Sequence, residues 1–233
     1  MAETSRIKDI PENEMTDAQK KVFADLIAGR GRLLAPYKIW IHSPKLAAAM
    51  ETIGTFLNKA GSLSEREVEL IICIIANHWR GEYVWAAHVK RCLELGYKPA
   101  VFDALHAGQT PTFDHERERA IYDLAAISMA PGGGSDEVFD RAEKLLGRNG
   151  IAEVIGLLGY YSAVSMGVKV HRVPIPKPAA RFRYRIEQNL LFHRKRSFNP
   201  APYTKVSSVI DTPSARRQAY TVGNSMRHGS NAS

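Results

Sequence analysis

The chain has 233 residues, of which 45% are hydrophobic and 24% are charged, a composition ordinary for a globular protein. No stretch approaches the roughly 20 apolar residues of a membrane-spanning helix, and the polar N-terminus lacks the basic start and apolar run of a secretory signal. Its two cysteines, Cys73 and Cys92, are too few for a disulfide framework. We therefore expect a cytoplasmic protein that does not use a membrane as a partner.

The positive charge is concentrated at the C-terminal end. Residues 178–233 contain ten Lys or Arg and two acidic residues, which accounts for the whole formal net charge of +8. The preceding residues are neutral overall, so their charge does not suggest a nucleic-acid partner. The composition of 178–233 predicts a disordered basic tail, and only through this tail do we expect nucleic acid or acidic partners to bind.

The chain up to about residue 172 predicts one helix after another. Apolar residues recur at a spacing near 3.6, and no alternating strand pattern of useful length occurs. Capping residues mark several helix starts: Thr16, Ser43 before Pro44, Ser64 in a capping box with Glu67, and Ser135. The predicted helices span 17–29, 44–58, 65–79, 82–95, 98–107, 114–128, 136–147 and 150–170, with a loop at 30–40. We therefore expect one all-α domain at 15–177, between an N-terminal arm at 1–14 and the tail.

The most apolar part of the chain is 70–76, within the predicted helix at 65–79. Five of the seven residues in 70–76 are Leu or Ile, a pattern that alone fits a buried strand as well as a buried helix. The capping box and the length of the segment favour a central helix. Arg80 and Gly81 end it, and the next predicted helix folds back against it as an antiparallel hairpin.

Glu69 and His88 are predicted to lie side by side across this hairpin. A tight break near 78–81 pairs residues whose numbers sum to about 157–160, and these two satisfy that rule. A carboxylate on so apolar a helix is costly without a partner. A buried Glu next to a His is a natural proton-transfer pair, although such contacts also occur as purely structural features. Val84, Trp85 and Cys92 are predicted to form an apolar wall around the imidazole.

The cysteines and the other histidines give weaker evidence for a functional site. In the hairpin register Cys73 and Cys92 are offset by about 8–12 Å along the helices, beyond the roughly 7 Å limit between the Cα atoms of a disulfide. Both are therefore interpreted as core cysteines. No His or Cys cluster has metal-ligand spacing, so we expect no metal.

The motif around the hairpin resembles the carboxymuconolactone decarboxylase-like family, whose relatives include the alkyl hydroperoxidase D proteins. The resemblance covers roughly residues 15–176. Its core is Leu63-Ser64-x-Arg66-x-x-Glu69-Leu70, then Ala76, then Tyr83-x-Trp85-x-x-His88 and Gly96. The flanking segments Ala35-Pro36-Tyr37, His42-Ser43-Pro44 and Gly159-Tyr160-Tyr161 are also similar to those of the family.

The resemblance implies an all-α fold of the alkyl hydroperoxidase D-like type that assembles into trimers or hexamers. In the hydroperoxidase branch, the residues matching Glu69 and His88 relay protons to a redox-active Cys-x-x-Cys pair. Here the positions of that pair are Gly81 and Val84. The decarboxylase-like branch has a Glu at the position of Val84. The acidic residue of this chain nearest to that position is Glu82, whose side chain is rotated by about 200° around the helix relative to that of residue 84.

These residues predict a cofactor-free lyase acting on a small carboxylated lactone or related ring acid. His88 is the expected general acid and base, Glu69 orients it, and Arg80 or His78 holds the substrate's carboxylate or developing enolate. Tyr37, Tyr83 and Trp85 are candidates to line the substrate pocket, or else core aromatics. Two alternatives remain open: a peroxidase-like antioxidant protein, and a non-enzymatic oligomeric binding protein with a basic tail.

Overall fold

The computed structural model describes residues 4–31, 33–132 and 134–175. They form helices joined by short loops, and no strand occurs among them, as predicted. After a 3-10 turn at Glu12–Glu14, the helices are α1 (Asp17–Arg30), α2 (Ala35–Trp40), α3 (Pro44–Lys59), α4 (Glu65–Trp79), α5 (Glu82–Glu94), α6 (Pro99–His106), α7 (Glu116–Met129) and α8 (Asp136–Val170). The predicted disordered tail at 178–233 lies outside the described residues.

Local sequence signals account for most of the helix ends. Thr16 forms a capping box with Gln19, and Ser64 forms one with Glu67. The two helices predicted at 136–147 and 150–170 run together as α8, which departs from helical geometry at Gly147, where φ is 70° and ψ is 172°. Ser43 begins α3 without a side-chain capping bond, so Pro44 carries that start signal.

The loop predicted at 30–40 is wrong in its second half. Residues from Ala35 onward form α2, a short helix that ends at Trp40. Pro36 does not oppose this helix because it lies in the first turn, where its missing N–H has no intrahelical acceptor. Tyr37 and Trp40 are buried on the inner side of α2.

Helix α4 is the centre of the fold. Every residue from Leu70 to Ala76 is at most 5% exposed, because α5, α7 and α8 pack around it. Fully burying one Leu or Ile side chain contributes about 1.5–3 kcal/mol, so this apolar run explains why α4 takes the central position. Glu69, which directly precedes this run, places a carboxyl group next to the apolar residues.

Helix α8 is long and apolar enough, by length and composition alone, to span a membrane, and it is the only such helix in the described ranges. Half of its most apolar 18-residue window is buried within the fold. Buried residues such as Val154, Leu157 and Val164 face the rest of the bundle. This burial is typical of the core helix of a soluble protein.

Two ion pairs fasten α4 to α7. Arg66 Nε donates to Glu118 Oε1 at 2.6 Å, and Arg117 Nε donates to Glu67 Oε1 at 2.6 Å. Burial alone would raise the pKa of the Glu67 carboxyl, but hydrogen bonds from Arg117 and Ser64 bring it below its ordinary value. The Glu67 carboxylate is therefore held ionised inside the bundle by Arg117 on a neighbouring helix and by Ser64 at its own helix cap.

Gly54 on α3 makes room for a buried tyrosine of α8. A β-carbon at Gly54 would lie 2.7 Å from Cζ of Tyr160 and closer still to its hydroxyl oxygen. We expect Gly54→Ala to lower the free energy of unfolding by about 1–3 kcal/mol through overpacking, measured by urea denaturation. Gly159→Ala is the matched control, since nothing lies within 4 Å of a β-carbon there. The control should gain up to about 1 kcal/mol from helix propensity, and equal effects of both changes would contradict this account.

Candidate active site

Glu69 and His88 are in contact, as the hairpin register predicts. Nδ1 of His88 lies 2.7 Å from Oε2 of Glu69, and the side chains are 24% and 13% exposed respectively. The contact joins α4 to α5 across a sharp turn in which Arg80 adopts a left-handed conformation with φ of 52°. The pair is therefore shielded from bulk solvent but not sealed from it.

The carboxylate decides which nitrogen of His88 is available for chemistry. An ionised carboxylate only accepts hydrogen bonds, so Nδ1 of His88 carries the proton that Glu69 accepts. In the neutral ring, Nε2 then has the free lone pair. His88 can take up a proton at Nε2 and return it there while Glu69 compensates the positive charge of the imidazolium.

The aromatic ring in contact with His88 belongs to Tyr161 of α8. In the sequence, Tyr161 is recognised only as part of a flanking segment of the motif. The two rings meet edge to face, with centroids 5.5 Å apart. The Tyr161 hydroxyl donates to Oδ1 of Asn58 at 2.8 Å, and Asn58 donates to the backbone oxygen of Gly54 at 2.7 Å. Tyr161 and Asn58 thus hold one side of the imidazole and are functional candidates that the spacing argument missed.

Trp85 packs on the side of α5 that faces α6. It is 7% exposed and packs against Phe102 and His106 of α6, at centroid distances of 6.2 and 5.8 Å. The aromatic ring in contact with His88 comes from α8. Trp85 is instead buried between α5 and α6, and it also lines a small cavity of about 40 Å³ with Arg80 and Glu82.

Tyr37, predicted to line the pocket, and His78, predicted as one candidate to hold the substrate's carboxylate, lie in different surroundings. Tyr37 is 2% exposed, and its hydroxyl is 3.1 Å from that of Tyr160, whose ring lies against Tyr161. Tyr160 and Tyr161 thus link the Tyr37 hydroxyl to the ring of His88. His78 is exposed near the end of α4 and packs edge to face on Trp79.

Arg80 and Tyr83 line a cavity of about 460 Å³ at the start of α5. Lys169 in the last turn of α8 and Arg172 just after this helix line it too, with Glu82 as its single acidic group. The cavity is thus surrounded by three cationic side chains and one anionic side chain. Lys169 and Arg172 were not found from the sequence, because they are distant from the hairpin motif along the chain.

The two positions where the hydroperoxidase branch has its cysteines are tightly packed here. A β-carbon on Gly81 would lie 2.9 Å from Oγ of the fully buried Ser165. Val84 is 2% exposed and belongs to the core, whereas Glu82 lines the cavity. Glu82 therefore does not occupy the place of a side chain at position 84, in agreement with the rotation argued from the sequence.

The predicted separation of the two cysteines is wrong. Sγ of Cys73 lies 3.7 Å from Sγ of Cys92, and both residues are completely buried. In an antiparallel helix pair, each Cα–Cβ bond tilts towards the N-terminus of its own helix. Cys73 therefore leans towards the level of Cys92 and Cys92 towards that of Cys73, which shortens the axial offset that a count of residues gives.

No protein-family model matches the sequence, and no curated protein matches it significantly. Within the described part of the chain, no group of three or more His, Cys, Asp or Glu side chains is arranged to hold a metal ion.

Solved structures resemble the chain in fold. The debrominase Bmp8 in complex with 2,3,4-tribromopyrrole superposes with a TM-score of 0.59 at 15% identity, covering 81% of this chain and 99% of its own. An uncharacterized peroxidase-related protein from Silicibacter sp. TM1040 gives 0.59 at 15% identity, covering 75% and 94%. The alkylhydroperoxidase AhpD core protein from Ralstonia eutropha JMP134 gives 0.58 at 16% identity, covering 74% and 93%.

The described part of the chain has an all-α fold with a Glu–His contact between two of its central helices. Among known folds this is the alkyl hydroperoxidase D-like fold, as the resemblance implied. Its representatives include a debrominase and peroxidase-related proteins. The fold therefore hosts different activities, and the activity of this chain must be argued from its own site.

Proposed function

We propose that this chain is a cofactor-free acid–base enzyme that decarboxylates a small carboxylated lactone or related ring acid, with His88 as the proton-transferring residue. The observation that carries the proposal is the 2.7 Å contact between Nδ1 of His88 and Glu69 in a partly shielded site. A carboxylate next to the buried apolar run of the central helix is costly, and a role in proton transfer explains why it is there.

The reaction needs one proton at the carbon from which CO₂ departs. His88, protonated at both nitrogens, donates the Nε2 proton to the carbanion or enolate that remains after the carbon–carboxyl bond breaks. Glu69 keeps its hydrogen bond to Nδ1 throughout and stabilises the imidazolium before the transfer. His88 then regains a proton from solvent, since its side chain is 24% exposed.

The positive charge around the cavity at the start of α5 favours an anionic substrate. Arg80, Lys169 and Arg172 surround it with positive charge, and Tyr83 offers an aromatic face. Arg80 is the cationic candidate for holding the substrate's carboxylate; His78, the other candidate, is exposed on the neighbouring turn. The tribromopyrrole bound by Bmp8 supports a small ring compound as ligand, although only by analogy of fold.

The test is CO₂ release and loss of ultraviolet absorbance when the full chain is incubated with carboxymuconolactone and related lactones. We expect turnover in the wild-type protein and a loss of about 10²- to 10⁴-fold in His88→Gln. His42→Gln is the matched control because His42 is an exposed histidine outside the site. Equal rates in wild type and His88→Gln would remove His88 from the mechanism; no turnover of any lactone would overturn the reaction proposed.

The peroxidase alternative has weaker support, because Gly81 and Val84 cannot supply a thiol. The third alternative, a non-enzymatic binding protein acting through the basic tail, depends on residues 178–233. We propose a cytoplasmic location, in keeping with the two free cysteines.

We also propose that the chain assembles into a trimer or hexamer through α3. Leu46, Ile53 and Phe56 are 46%, 47% and 48% exposed, and their spacing places them on one face of the helix. Phe56→Glu is expected to convert the oligomer to a monomer in light scattering coupled to size exclusion. Phe139→Glu, at a similarly exposed phenylalanine on α8, should leave the mass unchanged. A wild-type monomer, or an unchanged mass in Phe56→Glu, would refute this interface.

A further inference from the structure

Two thiols lie in contact at the centre of the hairpin, where the proposed proton transfer makes no use of them. Cys73 on α4 and Cys92 on α5 are both free and both 0% exposed, with their sulfur atoms 3.7 Å apart. A disulfide bond is about 2.05 Å long, so the sulfurs need to approach by less than about 2 Å to form one. Side-chain rotation and a small helix shift supply movements of this size.

The pair has a defined relation to the candidate active site. Cys73 follows Glu69 by four residues, and Cys92 follows His88 by four residues, so each cysteine lies one helical turn from a member of the acid–base pair. A bond between the cysteines joins the same two helices that the Glu69–His88 contact joins. Any change in helix spacing at the sulfurs therefore acts on that contact.

We propose that Cys73 and Cys92 form a reversible disulfide when the protein meets a hydroperoxide, and that this bond alters the Glu69–His88 contact. The disulfide itself is independent of the proposed lyase activity, whereas its effect on turnover rests on that activity. The pair is distinct from the Gly81 and Val84 positions, at which this chain has no sulfur.

The chemistry balances with a hydroperoxide as the oxidant. One cysteine, as thiolate, attacks the peroxide O–O bond and becomes a sulfenic acid, while the other oxygen leaves as an alcohol, or as water when the peroxide is H₂O₂. The second thiol then attacks the sulfenic sulfur, the S–S bond forms and water leaves. The two sulfurs together lose two electrons, which the peroxide gains, and a dithiol reductant restores both thiols.

Burial sets the rate of this oxidation. Burial, and then the hydrogen bond with Cys92, raise the pKa of the Cys73 thiol well above its usual value, so little Cys73 thiolate is present at neutral pH. The oxidant must also reach a site with no exposed surface. The disulfide therefore forms slowly and responds to sustained peroxide, rather than turning peroxide over as a peroxidase does.

The experiment uses the reduced full chain, exposed to H₂O₂ at neutral and alkaline pH. Each sample is then denatured, alkylated and weighed by intact-mass spectrometry. We expect the loss of two hydrogens, no alkylation at either cysteine, unchanged helical circular dichroism, and faster formation at higher pH. Dithiothreitol should restore two alkylatable thiols. Cys92→Ala, which keeps Cys73, should form no intramolecular bond. Two alkylated cysteines after oxidation of the folded protein would overturn the proposal.

The effect on the acid–base pair is measured without a substrate. The ring ¹⁵N signals of His88, identified with His88→Gln, should shift between the reduced and the oxidised protein and return on reduction. A disulfide that leaves these signals unchanged would refute the coupling. Failure of lactone turnover in the reduced protein would refute the proposed lyase and leave the disulfide in place, so the two proposals fail separately.

Discussion

Replacing Arg66 by methionine is expected to lower the free energy of unfolding by about 3–5 kcal/mol. Glu118, its partner on α7, is only 3% exposed, and removal of the guanidinium leaves this carboxylate buried without its cation. Arg66 also donates to the backbone oxygen of Leu95 at 2.7 Å and lies over the ring of Tyr97. Methionine keeps most of the side-chain volume, so the loss measures charge and hydrogen bonding rather than packing.

The matched control is Arg91→Met. Arg91 also joins α5 to α4, through a 2.6 Å contact with Glu65, but its side chain is 43% exposed and that of Glu65 is 55% exposed. Solvent screening weakens such an exposed pair, so Arg91→Met should cost far less stability than Arg66→Met. Urea denaturation of both variants makes the comparison, and the double variant Arg66→Met/Glu118→Leu should recover most of the lost stability. A similar cost for the two single variants would show that burial of Glu118 does not determine the effect.

The parts of the fold that the sequence predicted correctly depend on local chemistry. Thr16 and Ser64 bind the first turns of their own helices, and each predicted helix start follows from that bond. The Glu69–His88 contact was also predictable, because a tight turn between two helices fixes which levels of the helices face each other. The side chains of Glu69 and His88 are long enough to span the remaining offset between their positions along the two helices.

The errors have a common physical origin in three-dimensional geometry that a count of residues does not contain. The tilt of the Cα–Cβ bonds brings Cys73 and Cys92 into contact despite their different levels. The neighbour of His88 comes from α8, more than seventy residues along the chain, so no spacing rule within the hairpin points to Tyr161. Pairs such as Arg66 and Glu118 are missed for the same reason.

Replacing Glu69 by leucine is expected to separate function from stability. Turnover should fall by about 10- to 100-fold, because Nδ1 of His88 loses the acceptor that fixes its proton and stabilises the imidazolium. The free energy of unfolding should change little, because burial of leucine at a position that is 13% exposed on an apolar helix offsets the hydrogen bond that Nδ1 of His88 loses. Lactone turnover and urea denaturation of the same preparation measure both quantities.

The opposite pattern identifies a structural role. If Glu69 only holds α4 to α5, Glu69→Leu should destabilise the fold, and turnover should change no more than stability does. Glu69→Gln distinguishes the two readings further, because its amide oxygen still accepts from Nδ1 of His88 but carries no charge. An orienting role predicts that the activity of Glu69→Gln lies between the activities of wild type and Glu69→Leu. The ¹⁵N spectra of the His88 ring should then show the proton on Nδ1 in wild type and in Glu69→Gln. In Glu69→Leu the proton should no longer be confined to Nδ1. A carboxylate needed for its charge as well as its geometry explains why this residue stands among the Leu and Ile side chains of the central helix.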